Sequence, residues 1–60
     1  MRFVRDGAGD LYIEVPGEPG WFAAAHDFAR GKKYVELYSY SEDEIAEDGP
    51  LAVEWEVKEA

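Results

Sequence analysis

Sixty residues without a cysteine are too few for a second domain, and they leave no disulfide or thiolate metal site to supplement the core. Hydrophobic residues at 47% and aromatics at 15% supply enough large side chains for one folded domain over residues 1–60 rather than a disordered tail. Fourteen acidic against six basic residues give a net charge of -8, which argues against binding nucleic acid directly and favours basic proteins, felt over roughly 8–10 Å.

Taken in chain order, "RFVRDGAGDLYIEVPG" predicts a hairpin whose turn runs through Asp6, Gly7, Ala8 and Gly9, with Leu11, Ile13 and Val15 alternating against Tyr12 and Glu14. "EPGWFAAAHDFARGKK" predicts the single helix. Pro19 suits its first turn, Gly31 suits the left-handed position past its end, and Trp21, Ala24, Ala25 and Phe28 make an apolar stripe at helical spacing. "KYVELYSY" alternates with period two and predicts a third strand, and "LAVEWEV" a fourth, with Leu51, Val53, Trp55 and Val57 opposed to Ala52, Glu54 and Glu56. The fold expected is α+β: ββαββ, a mostly antiparallel four-stranded sheet with one helix packed on one face. Residues past Val57 are expected to fray. No apolar run approaches a signal segment or a membrane span, so a soluble, cytoplasmic chain with no membrane partner is expected.

Between the last two strands, five of the seven residues from Glu42 to Asp48 are carboxylates. Ser41 followed by Glu44 matches a capping box, which predicts a short helical turn with Ile45 tucked inward and Gly49-Pro50 ending it. Capping accounts for Glu44 and its acidic neighbours in the first turn. It leaves a surplus of negative charge with three explanations: a solvated run that keeps the chain soluble, a cation site, or a surface for a partner's Lys and Arg. A calcium loop would need oxygen ligands where Ile45 and Ala46 stand, so no metal is expected.

If the aliphatic sides of all four strands face the helix, the other side of the sheet collects Tyr12, Glu14, Tyr34, Glu36, Tyr38, Tyr40, Glu54 and Glu56. Carboxylates on alternate strand residues then stand roughly 6.6 Å apart, a spacing suited to a groove built for phosphates. A wet sheet face rich in Glu and Tyr is also what strand propensity alone produces. Catalysis is not expected: His26 is the one histidine, no nucleophile–base pair can be assembled, and "DGAGD" lacks the lysine and helix of a phosphate loop. The absence of Asn, Gln and Thr, the usual orienting groups of ligand pockets, points away from a cofactor.

The acidic turn "EDEIAED", the strand "VEWEV" and the Cys-free 60-residue length resemble the small DNA-mimic inhibitors of phages and mobile elements, including anti-CRISPR proteins. The resemblance lies in size, charge and surface layout, and it carries no residue over by alignment. It implies a non-enzymatic inhibitor, acting in the host cytoplasm, that offers an acidic surface to the basic nucleic-acid-binding site of a partner protein. The residues expected to carry the contact are Glu42, Asp43, Glu44, Glu47, Asp48, Glu54, Glu56, Glu36, Glu14, Tyr38 and Tyr40, on a monomer or weak homodimer. The alternative is a small acidic structural or regulatory domain adapted to a saline, crowded or hot host.

Overall fold

The computed structural model describes residues 1–58. As the sequence predicts, β1 (Arg2–Arg5) and β2 (Leu11–Glu14) form an antiparallel hairpin, with Phe3 opposite Ile13, Val4 opposite Tyr12 and Arg5 opposite Leu11. One side chain holds its turn. Asp6 Oδ1 accepts from the N–H of Ala8 at 3.0 Å and of Asp10 at 2.8 Å, which satisfies one oxygen of this buried carboxylate, while Oδ2 is buried without a hydrogen-bond partner among the described residues.

The next stretch corrects the expected helix. Residues Trp21–Ala24 are β3, paired to β2 with Tyr12 opposite Ala24, Ile13 opposite Ala23 and Glu14 opposite Phe22. Pro19 therefore sits in a hairpin connection and not in a helix. The physical reason is burial on both faces: Phe22 and Ala23 are each 0% exposed and, as neighbours on a strand, point to opposite sides. A strand covered on both sides reads as an unbroken apolar run, which periodicity cannot separate from a helix. Only one turn, α1 (Ala25–Phe28), is helical.

A second correction follows Gly31. "KYVELYSY" is mostly helix, α2 (Lys32–Leu37), with strand pairing confined to β4 (Tyr40–Ser41). Gly31, at φ 107°, breaks the chain between α1 and α2 as no other residue type would readily do. Within α2 only Val35 is buried, Leu37 is 75% exposed, and Tyr34 and Tyr38 meet one turn apart at 4.5 Å between ring centroids. That i,i+4 contact is a helix interaction.

The acidic turn is as expected. Ser41 caps α3 (Glu42–Ile45): the Glu44 N–H donates to Ser41 Oγ, and the Ser41 hydroxyl donates to Glu44 Oε1, both at 3.3 Å. Ile45 is buried, a 3₁₀ turn (Ala46–Asp48) continues the arm, and Gly49 at φ 118° ends it. The last strand, β5 (Ala52–Glu56), pairs with β1. In place of four strands and one helix, the described residues form a five-stranded antiparallel sheet, ordered β4-β3-β2-β1-β5, with three short helices, still in the α+β class. No described helix is long and apolar enough to cross a membrane.

Two small cores flank the sheet. Val4, Phe22 and Ile45, with Tyr12 and Leu51 against them, fill the side under α3. Val15, Ala23 and Val35, with Phe28, fill the side under α1 and α2. β5 departs from its expected alternation because Phe3 pairs with Trp55 while Val4 pairs with Val53, leaving Glu54 as an extra residue. Trp55 then stacks on Phe3, at 5.2 Å between centroids, and Val53 turns to the α3 side beside Val4 and Leu51. Neither is covered: all five residues of β5 are exposed. Past the strand, the Val57 N–H still donates to the Met1 carbonyl, while residues 59–60 of the tail lie outside the described residues.

Candidate protein-binding surface

The acidic residues divide according to which of them β1 can reach. Extending the hairpin register one residue past Phe3 and Ile13 sets Arg2 opposite Glu14. The Arg2 Nη2 donates to Glu14 Oε2 at 3.0 Å, its Nη1 lies 3.1 Å from Glu42 Oε1, and its guanidinium sits 5.2 Å from the centre of the Phe22 ring. Glu14 also accepts from the Gly20 N–H at 3.0 Å. These donors, the Arg2 guanidinium foremost, hold the Glu14 carboxyl below the ordinary carboxylate range against the opposing effect of burial, and Glu14 raises Arg2 in turn.

Arg5 lies one residue beyond Val4 and so on the other face. Its Nε and Nη2 donate to the two oxygens of Glu54 at 2.7 and 3.0 Å, and its Nη1 to the Gly9 carbonyl at 2.8 Å. Ala52 pairs with Arg5, so Glu54, two residues on, faces the same side. The two-pronged contact lowers the Glu54 carboxyl.

The array of four tyrosines and four glutamates is therefore not assembled on one sheet face. Glu14 and Glu54 are occupied by arginines on opposite sides of the sheet, and Glu42 is shared with Arg2. Glu36 rides on α2 and Tyr38 follows its last residue; Glu36 lines a hollow with Val15, Phe28 and Val35, on the side away from α3. Glu56 is exposed at the end of β5.

The remaining site residues are brought together. Tyr40, Glu44, Glu47 and Asp48 line a hollow of about 480 Å³ with Tyr12 and Ile45, whereas Asp43, on the same arm, lines a separate hollow with Arg2, Glu42 and Val53. Among the described residues, Asp43, Glu44, Glu47 and Asp48 have no ion-pair partner. The Tyr12 hydroxyl is pushed above the usual tyrosine range, first by burial and then by Asp6, Asp10, Tyr40 and Asp48. Tyr12 reaches this hollow because its partner Val4 points under α3.

A glycine contact that the sequence does not announce positions the arm. A side chain at Gly7 would collide with the backbone carbonyl of Asp48 and come within 3.0 Å of the Gly49 Cα, so the first turn and the end of the arm meet backbone to backbone. The two arginines escaped the sequence reading as neutralising groups, although the hairpin register was signal enough to pair Arg2 with Glu14.

No family model, curated protein or solved structure matches this chain. His26 is exposed, with Nε2 3.3 Å from Asp27 Oδ1. Among the described residues, no three His, Asp or Glu side chains are placed to hold a metal ion.

Proposed function

We propose that the protein is a non-enzymatic binding module whose α3 arm occupies the basic, nucleic-acid-binding site of a partner protein. The observation that supports this reading is the selective use of arginine. Arg2 and Arg5 pair with the strand carboxylates Glu14 and Glu54, leaving Glu56 exposed at the end of β5, while Asp43, Glu44, Glu47 and Asp48 have no ion-pair partner among the described residues and lie on one arm. Self-repulsion among them is partly offset at the helix start, where Glu42, Asp43 and Glu44 occupy the first turn. It is not offset at Glu47 and Asp48. A field of one sign on one surface element steers encounter with a basic cleft and makes binding salt-sensitive.

Compared with the whole sheet face expected from the sequence, the acidic surface is smaller and differently built: an arm with Tyr12 and Tyr40 beside it, in place of ranks of strand glutamates. The tyrosine rings add rigid apolar area at low entropic cost on binding. The test is capture of a partner from host lysate at low salt, followed by elution with duplex DNA or RNA. A partner displaced by nucleic acid, and lost with Asp43→Asn, Glu47→Gln and Asp48→Asn combined, supports the reading. Capture that nucleic acid does not reverse, or no capture at all, overturns it.

A further inference from the structure

Resting on the binding role above, we propose that the open edge of β5 receives an extended basic segment of the partner as a sixth strand. Val53 and Trp55 are 55% and 65% exposed there, whereas the opposite sheet edge, β4, is two residues long and runs directly into α3. Val57 exchanges both backbone hydrogen bonds with Met1 at 2.8 Å. The N–H and C=O of Glu56, next on the strand, consequently point away from β1 and stand open to an added chain.

The side chains flanking this edge specify the occupant. On the α3 side lies a hollow of about 290 Å³ lined by Val4, Ala46, Leu51 and Val53, with Arg2, Glu42 and Asp43 as its charged groups. Arg2 takes Glu42, which leaves Asp43 for an incoming cation. A lysine or arginine, apolar along its stem and charged at its tip, matches such a site. Glu56 offers a second contact at the end of the strand. A second copy of this chain is the poorer match, since it would bring another net charge of -8, with its own Asp43 and Glu56, to the seam.

The test uses a synthetic peptide of alternating valine and lysine, about seven residues long, titrated into the protein and followed by amide shifts and hydrogen exchange. Slowed exchange at the Glu56 N–H, the largest shifts in β5, a loss of about ten-fold in affinity on Glu56→Pro and a smaller loss of about two-fold on Glu56→Gln, which removes the charge and keeps the N–H, are expected. The same peptide N-methylated at alternate amides keeps its charge but cannot pair, and should bind about ten-fold more weakly to the unaltered protein. Equal affinity for both peptides, with shifts confined to α3, would overturn the edge proposal and leave the acidic arm intact. Concentration-dependent protection of Glu56 without peptide would place a second copy there, which also overturns it. Failure of the arm reading is separate, and shows as capture that nucleic acid does not reverse.

Discussion

Replacing Gly7 with alanine should dislodge the acidic arm. The added methyl would meet the Asp48 carbonyl, an unyielding backbone group, and would also stand at 3.0 Å from the Gly49 Cα, where ordinary contact begins near 3.4 Å. Either the first turn or the arm must move, and Asp6 ties the turn through two hydrogen bonds. If the arm lifts, Ile45 loses its cover over Val4 and Phe22, and full burial of such a side chain is worth about 1.5–3 kcal/mol. A cost of about 2–3 kcal/mol is a large share of the roughly 3–9 kcal/mol that a chain of this length holds. Gly9 is the control: it sits at φ +88° with open space around it, so Gly9→Ala carries backbone strain of about 1–2 kcal/mol without touching the arm. Urea unfolding followed by the fluorescence of Trp21 and Trp55 measures both. The reasoning fails if Gly7→Ala is no more destabilising than Gly9→Ala, or if amide shifts at Ile45 to Gly49 are the same in the two variants.

Other outcomes follow from the same contacts. Ile45→Ala should cost about 2–4 kcal/mol in urea unfolding, because it opens a cavity against the buried Val4 and Phe22. Because the folded state holds the Glu14 carboxyl below its ordinary value, that group's contribution is present above the ordinary carboxylate pKa and is lost as pH falls through the lower, folded one; thermal melts across the acid range should show this limb, and Glu14→Gln should remove it at a cost of about 1–2 kcal/mol near neutral pH. Tyr12 is raised, so its contribution is full below the ordinary tyrosine pKa and lost as pH climbs through the folded one; alkaline titration by ultraviolet absorbance should show one late tyrosine, absent in Tyr12→Phe. Ser41→Ala should cost about 1 kcal/mol in the same unfolding assay through loss of the cap.

The parts legible in the sequence were those in which one local rule dominates. The Asp6 to Gly9 turn, the Ser41 to Glu44 cap and the stop at Gly49 each follow from short-range hydrogen bonding or from the freedom of glycine. The middle of the chain was not legible, because burial there is set by layers that the sequence does not display. Trp21 to Ala24 is apolar on both sides since α1, α2 and α3 sandwich β3, and a helix stripe and a doubly covered strand use the same residues. The apparent alternation from Tyr34 to Tyr40 held one buried residue, Val35, so it carried no information about a sheet face. For the candidate surface, the acidic arm could be read from composition, but its separation from the strand glutamates could not. Arg2 reaching Glu14 follows from the hairpin register, but Arg5 reaching Glu54 depends on β5 pairing with β1, a contact between strands far apart in the chain that no local rule supplies.

The charge division is tested most directly by the dependence of partner affinity on salt, measured for the unaltered protein, for Asp43→Asn/Glu47→Gln/Asp48→Asn, and for Glu54→Gln. Each free carboxylate that meets a cation in the complex should steepen the fall of affinity with ionic strength. A flattened dependence for the arm variant, with Glu54→Gln indistinguishable from the unaltered protein, is the predicted result. Equal dependence in all three, or a change only on removing Glu54, would contradict the account.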